Sequence, residues 1–538
     1  LKFVAIFILP LFLFAISLDE LNNMPTSLAK DFYIWQFLEQ DVGEIDAKKA
    51  YKQAQNKDRN ELLQAYLKRV DDPKLQFIQE CKKLDVAALS KQSKECIDEG
   101  FSVLKATQAS SQDLIRIYNK TQNSSHKRVA QLMSVGDIFE NIIDSPQDFY
   151  MIFNASGDAY RINYLDKKAT PQQIQLLANE KSFSTSILYI VLNPAMKNLQ
   201  QSLLFDFDSS ALDARANFYL AINAIKYHNE DLALLYLERA KEKFYYRFDK
   251  DRVTFWQYQI TQDESYLREL SESFDLNIFT IFAKSQTKEV GFTYEHLSLG
   301  NTQKSSYDYT NPINWHYTLQ EIESASKEKL LQLAKKFEYE ETIGEYSFIL
   351  ERYYDYKKHF FPTPFLQELQ KDYSIEELAL LYAIIRQESR FVTASISTSF
   401  ALGQTQIMPF LVRAIAKEKG DTIALTDMFK PQKSIEYGLH HIAFLKRSLF
   451  HPLLIAYGYN GGIGFTQREI IQKGLFNGNS KYEPWLSMEL VPYHESRDYG
   501  KKVLANYYIY LEILGKPTPF ASLIKPLIDG SKIEKWRD

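Results

Sequence analysis

The chain has 538 residues, more than one hydrophobic core usually supports, so two or three domains are expected. Its formal net charge of -4 is spread without a strong basic block, which leaves no electrostatic footprint for nucleic acid. Aromatic residues make up 14% of it, with 35 Tyr and 36 Phe, a richness that suits sugar or peptide contacts and equally the packing of long helices.

The opening stretch "LKFVAIFILPLFLFAISL" (1–18) sets Lys2 before an apolar run and ends with Ala15 and Ser17 at the spacing a signal peptidase reads. Residues 1–17 are therefore expected to be a secretory signal; a membrane helix is disfavoured because the run is short and is broken by Pro10. No cysteine sits near the cut, so no lipid anchor is suggested, and the mature protein is expected to be exported and soluble. Cys81 and Cys96 are the only cysteines. An oxidising compartment permits them to pair across a helical hairpin, and two unlinked buried thiols are the alternative. Two thiols with no histidine close by in sequence build neither a metal site nor a Cys-based active site, and no cofactor is expected.

From about 19 to about 288 the sequence reads as helix after helix, separated by short polar turns. In "NEDLALLYLERAKEKF" (229–244), Leu232, Leu235, Tyr236 and Ala240 recur at three- and four-residue spacing behind Asp231 in the first turn. One such helix cannot bury its face alone, so neighbours must stack beside it, and a row of stacked helices forms an irregular α-superhelix. Gly291 and "GNTQKSSYDYTNPINW" (300–315) have turn and linker composition. A smaller helical segment runs from Trp315 to about Phe360, where the prolines of "FFPTPF" (360–365) forbid a continuous helix. The fold class expected is all-α, divided as signal peptide 1–17, α-superhelical domain 18–310, helical linker domain 311–361 and a C-terminal α domain 362–538.

The last domain opens with "YSIEELALLYAIIRQESRF" (373–391). Ser374 followed by Glu377 makes a capping box, and Leu378, Leu381 and Ile385 trace one helical face. Glu388 continues that face, three residues beyond Ile385. A lone acidic residue near a helix end is usually solvated or paired, and Arg386 and Arg390 stand ready as partners. Further along, "FALGQTQIMPF" (400–410) offers Ala401 and Gly403 for close backbone approach, the amide of Gln406, and Pro409 near a helix start. "AYGYNGGIG" (456–464) sets Tyr459 and Asn460 before a glycine pair, and "MELVPYHESRDYGKKVLANYY" (488–508) crowds Glu489, Pro492, Glu495, Arg497 and Tyr499 before another helix.

In the order and spacing of these four blocks the chain resembles the soluble lytic transglycosylases of the bacterial periplasm, whose C-terminal domain has a goose-lysozyme-like fold. The family's Glu-Ser pair falls on Glu388 and Ser389. Its Gly-Ala-x-Gly-Leu-Met-Gln and Met-Pro pattern is matched by Ala401, Gly403, Gln406, Met408 and Pro409, with Phe400, Gln404 and Thr405 in place of Gly, Leu and Met. Tyr459, Asn460 and Gly462 keep the Ala-Tyr-Asn-x-Gly pattern, with Gly458 for alanine, and Pro492, Glu495, Arg497 and Tyr499 keep the last block. The matches cover roughly 362–514. The departures at Phe400, Gln404 and Thr405 are expected to bear on the subsites, because the family lines its glycan groove there.

The resemblance implies a lysozyme-like catalytic domain at 362–538, joined through a linker domain to a superhelix that forms a ring in the best-known members. It implies a periplasmic location, peptidoglycan glycan strands and muropeptides as partners together with other cell-wall enzymes, no nucleic acid, and no stable membrane insertion after signal removal. The implied reaction cleaves the β-1,4 bond between N-acetylmuramic acid and N-acetylglucosamine without water, leaving 1,6-anhydro ends, with Glu388 as acid and then base. An apolar setting keeps such a carboxyl protonated to higher pH. Tyr459 is expected to hydrogen-bond the N-acetyl group or the developing charge, with a core tyrosine as the alternative. Gln406 positions the sugar, Ser389 supports the glutamate or its substrate, Asn460 holds the loop, and Met408 and Tyr499 complete the candidate binding residues. Glu495 is either electrostatic support near the cleft or a salt-bridge partner of Arg497. Two rival functions use the same residues: a goose-type muramidase that hydrolyses the bond, and a catalytically silent peptidoglycan-binding scaffold.

Overall fold

The computed structural model describes residues 16–287, 292–299 and 304–529. All but the last two residues of the signal segment 1–17 lie outside these, as do Gly291 and the first part of the turn-rich stretch 300–315. The described residues are almost wholly helical. The all-α expectation holds with one short exception among the described residues: Phe360–Pro362 pairs in parallel with Glu295–Leu297, Glu295 lying opposite Phe360. The prolines of 360–365 do exclude a helix there, and the extended backbone they favour is used as a strand.

Contacts divide the chain into two compact units, each made of discontinuous pieces. The first unit gathers the residues up to Asp72, then 292–459 and 502–518; the second gathers Pro73 to 287, then 460–501 and the residues from Pro519.

In the second unit, helices Ala214–Lys226, Glu230–Lys243, Arg247–Thr261, Glu264–Ser271 and Ile278–Thr287 each pack on the next along the chain. Asn229 caps Glu230–Lys243 by accepting from the Leu232 amide at 3.3 Å, and Leu232, Tyr236 and Ala240 are buried as their spacing requires. Ala214–Lys226 goes further: every residue from Ala216 to Ile225 is buried, so the helix has neighbours all round. A disulfide joins Cys81 and Cys96, linking helices Pro73–Lys83 and Lys94–Gly100, and decides between the two states left open by the sequence. Helix Trp485–Leu490 is anchored twice. Trp485 packs on Phe255 at 4.6 Å and Phe282 at 5.6 Å, and buried Glu489 accepts from Arg252 Nε at 2.9 Å and Lys501 Nζ at 2.7 Å. A buried carboxylate is tolerated only with such partners, and removing one of them costs about 3–5 kcal/mol.

In the first unit, the helices between Pro312 and Tyr353 close over Trp315, Ile322, Leu333 and Ile349, and this core continues into Phe360 and Val392. Helix Leu28–Glu39 is buried along most of its length and packs Phe32 against Phe400 and Phe429.

Candidate active site

The site is built outward from helix Ile375–Glu388. Ser374 Oγ accepts from the Glu377 amide at 3.3 Å while the Glu377 carboxylate accepts from the Ser374 amide at 3.1 Å, so the capping box expected from the sequence forms. From Leu378 to Ile385 all eight residues are buried. The expected single apolar stripe is thus a helix embedded on every side for two turns. It emerges at its last turn, where Arg386, Gln387, Glu388, Ser389 and Arg390 are all partly buried.

Both flanking arginines reach Glu351. Arg386 donates to Glu351 at 3.0 Å, to the Phe360 carbonyl at 2.9 Å and to Asn506 at 3.0 Å, and Arg390 reaches Glu351 at 3.3 Å. Ser389 ends the helix, and its Oγ donates to the Gln404 carbonyl at 2.8 Å, tying the loop around Gln404 to the helix end. Arg390 and Phe391 then take left-handed φ values of 52° and 68°, which turn the chain sharply away.

The 395–409 segment is a tight loop in which Leu402 bridges both Ile396 and Ile407. Gly403 sits at φ 74° with the Met428 carbonyl only 2.1 Å from where a Cβ would stand, so no other residue fits without movement. Gln406 turns its amide inward: Nε2 donates to the Gly403 carbonyl at 2.7 Å and the Ser395 carbonyl at 3.1 Å. Met408 is partly buried just before Pro409, the first residue of helix Pro409–Lys419.

The three departures from the family pattern all point into the protein. Phe400 is 1% exposed, stacks on Trp35 at 5.6 Å and lies under the Arg59 guanidinium at 3.7 Å. Gln404 is buried and donates to Thr393 Oγ1 at 3.0 Å. Thr405 is fully buried, with its hydroxyl against Ser434 O at 3.1 Å and its methyl over Gly438, where a Cβ would come within 2.5 Å. Their side chains serve internal packing, and the space at Gly438 accommodates the branched Thr405.

Tyr459, in helix Pro452–Gly461, meets this loop. Its hydroxyl donates to the Thr405 carbonyl at 2.7 Å, and its pKa is held well above the usual phenol value by burial, then by the negative charge of Glu388. Tyr459 is thus a protonated donor in the electrostatic field of Glu388. His441 packs its ring 5.1 Å from Tyr459, and burial pushes its pKa down to about 4, leaving a neutral imidazole near neutral pH. Nothing in the sequence pattern singled out His441, because only the folded helix Pro431–Lys446 brings it to Tyr459.

The remaining candidates belong to the second unit. Asn460 Nδ2 donates to Glu495 Oε1 at 2.9 Å, and Asn460 Oδ1 accepts from Ser496 Oγ at 2.6 Å. Glu495 is exposed, whereas Arg497 is fully buried and donates to the Val491 carbonyl at 2.7 Å, so the suggested pairing of Glu495 with Arg497 does not form. Tyr499 is buried in the same helix, His494–Ile513.

Residues 365–480 match the Transglycosylase SLT domain family. Among solved structures, the chain is similar to the 70-kDa soluble lytic transglycosylase of Escherichia coli, at 15% identity over 93% of this chain and 84% of that one, with a TM-score of 0.48. It is similar to a complex of the 70-kDa soluble lytic transglycosylase with bulgecin A, at 14% identity over 93% and 84% with a TM-score of 0.47. It is also similar to an inactive mutant of lytic transglycosylase Slt from Pseudomonas aeruginosa, at 13% identity over 92% and 79% with a TM-score of 0.45. No curated protein matches the chain. Residues 365–480, which carry Glu388, Gln406 and Tyr459, are thus a transglycosylase SLT domain, and the chain that carries it is an enzyme of the lytic transglycosylase type.

Proposed function

We propose that the enzyme cleaves the β-1,4 bond between N-acetylmuramic acid and N-acetylglucosamine in peptidoglycan without consuming water. The observation that carries this reading is the position of Glu388, at the exit of a buried helix and within electrostatic reach of the protonated phenol of Tyr459. Glu388 gives its proton to the glycosidic oxygen, and the bond from that oxygen to C1 breaks with the electron pair leaving on oxygen. The N-acetyl carbonyl of the muramic acid supports the cationic C1. The same sugar's C6 hydroxyl then bonds to C1 and returns its proton to Glu388, closing the 1,6-anhydro ring. The proton count balances, and one carboxyl serves as acid and then base. Attack from within the sugar has the advantage of a tethered nucleophile over water.

Tyr459 turns its hydroxyl from the Thr405 carbonyl to donate to the N-acetyl group or to developing charge, while Ser389 holds the loop through the Gln404 carbonyl. Gln406, Met408, Asn460, Glu495 and Tyr499 act as binding or supporting residues. The Cys81–Cys96 disulfide supports an oxidising location such as the periplasm. Successive packing of helix on helix in 73–287 supports a superhelix that guides glycan strands, within a chain ordered as 18–310, 311–361 and 362–538.

The deciding experiment is mass spectrometry of muropeptides released from purified peptidoglycan. The expected fragments are lighter by one water than hydrolytic ones, and Glu388→Gln is expected to lower their release by about 10²-fold or more while the fold is kept. Hydrated reducing ends would move the enzyme to the goose-type muramidases, and no release by the wild type would make it a scaffold.

A further inference from the structure

The second unit holds a cavity of about 740 Å³ whose lining residues all belong to that unit. Cavities of roughly 300–1,000 Å³ are the size that encloses small organic ligands. Four cations stand in its wall, Arg215, Lys226, Lys473 and Arg497, and of these Lys473 is paired with Glu469. Arg497 is fully buried; Nη1 donates to the Val491 carbonyl, but Nε and Nη2 have no acceptor. Lys226 donates to an amide oxygen, Gln200 Oε1, at 2.7 Å. Burial lowers its pKa to about 8, as happens to an ammonium with no compensating anion.

The acids of the same wall do not neutralise the other three cations. Asp158 is paired with Arg161 at 2.8 Å and Glu469 with Lys473 at 2.5 Å, and burial disfavours the charged form of Glu483. Asp498, which feels the charge of Arg497, also lies 3.4–3.7 Å from His494, Lys501 and Arg252. A buried guanidinium with two unused donors is costly unless something accepts from it. The wall also carries the amides of Asn193 and Asn477, groups that both donate to and accept from peptide bonds.

We infer that this cavity is a second binding site, for a carboxylate-bearing peptide of two or three residues whose carboxylates are held by Arg497, Lys226 and Arg215. Guanidinium groups suit this task because they meet a carboxylate with two parallel donors. The volume is generous for a single small acid and fits a short peptide. A free peptide and the stem of a wall fragment present the same chemistry.

The test is isothermal titration calorimetry on the full-length Glu388→Gln protein, in which binding is read without turnover and independently of the reaction proposed for Glu388. Diglutamate is expected to bind at one site, and diglutamine at least tenfold more weakly. Lys226→Met and Arg215→Met, each checked by circular dichroism, are expected to weaken diglutamate binding tenfold or more; Arg497→Met adds to this if it folds. No binding of diglutamate, equal affinity for diglutamine, or unchanged affinity in both Lys226→Met and Arg215→Met would overturn the inference. Displacement of diglutamate by a disaccharide-peptide fragment assigns the stem as ligand, and bound diglutamate that the fragment does not displace assigns the free peptide.

Discussion

Phe400 stands at φ 59°, a conformation in which glycine rests without strain and which costs another residue about 1–2 kcal/mol. Packing against Trp35, Phe32 and Arg59 offsets that cost, since burying a phenylalanine contributes about 1.5–3 kcal/mol. The substitution therefore keeps the backbone that the family's glycine provides and adds an anchor for helix Leu28–Glu39. That was not legible in the sequence, where Trp35 and Phe400 are separated by more than three hundred positions. Glu388, Gln406 and Tyr459 were legible because local motifs carry them. The inward turn of Gln406, the burial of Thr405 and the presence of His441 depend on neighbours from distant segments. Tyr459→Phe is expected to cut the rate of muropeptide release by about 10²-fold, the usual loss when one positioned donor to developing charge is removed. Its stability cost should stay near 1 kcal/mol in urea unfolding, for the lost bond to Thr405. An unchanged rate would return Tyr459 to the role of a core tyrosine. A second residue sets a pH dependence unrelated to catalysis. Glu345 is fully buried, its carboxylate oxygens find no donor from another residue, and burial raises its pKa to about 8. Since the folded pKa lies above the ordinary 4.5, the folded state holds a proton that the unfolded state releases. Its contribution is complete below pH 4.5 and is lost as pH rises through 8. Denaturation midpoints between pH 4.5 and 8 are expected to fall less steeply in Glu345→Gln than in the wild type, and parallel curves would refute this.

At the scale of elements, the start of helix Ile375–Glu388 follows from four residues, because a capping box is a local exchange of hydrogen bonds. Its embedding on every side could not be read from periodicity: a run such as Leu378–Ile385 looks amphipathic or fully apolar depending on how Ala379, Tyr382 and Ala383 are weighed. The short strand Phe360–Pro362 was hidden for a related reason, since its partner Glu295–Leu297 lies across a whole helical segment. The disulfide between helices Pro73–Lys83 and Lys94–Gly100 closes a loop of 15 residues, for which chain entropy gives about 3 kcal/mol. Replacing Cys81 and Cys96 together by serine is expected to lower unfolding stability by about that amount, read from urea midpoints with and without reductant. Wild type in reductant should match the double variant to within about 1 kcal/mol. Equal stability of wild type and variant under oxidising conditions would show that the link contributes nothing.

For the molecule as a whole, the sequence yielded helix content and motif order, but the motifs carry no information on which pieces share a core. Segments at both ends of the chain enter the same units. Residues 362–538 expressed alone would lose Trp35 and Arg59 from Phe400, Glu351 from Arg386, Arg252 from Glu489 and Phe255 from Trp485. The orphaned Glu489 contact alone is worth about 3–5 kcal/mol, a large part of a domain's stability. This fragment is expected to lack a cooperative melting transition in circular dichroism and to bind a hydrophobic dye, while the full chain melts sharply. A sharp transition in the fragment would show those contacts to be dispensable. The interleaving also has a consequence in time. The first unit needs 502–518 and the second needs 460–501, so a chain made from its N-terminus has both cores open for most of its synthesis. Contacts between such distant segments also close slowly. A chain that stops before Asn460 finishes neither unit and is left as substrate for proteases. Such a chain carries the carboxyl of Glu388 without the finished core of its unit.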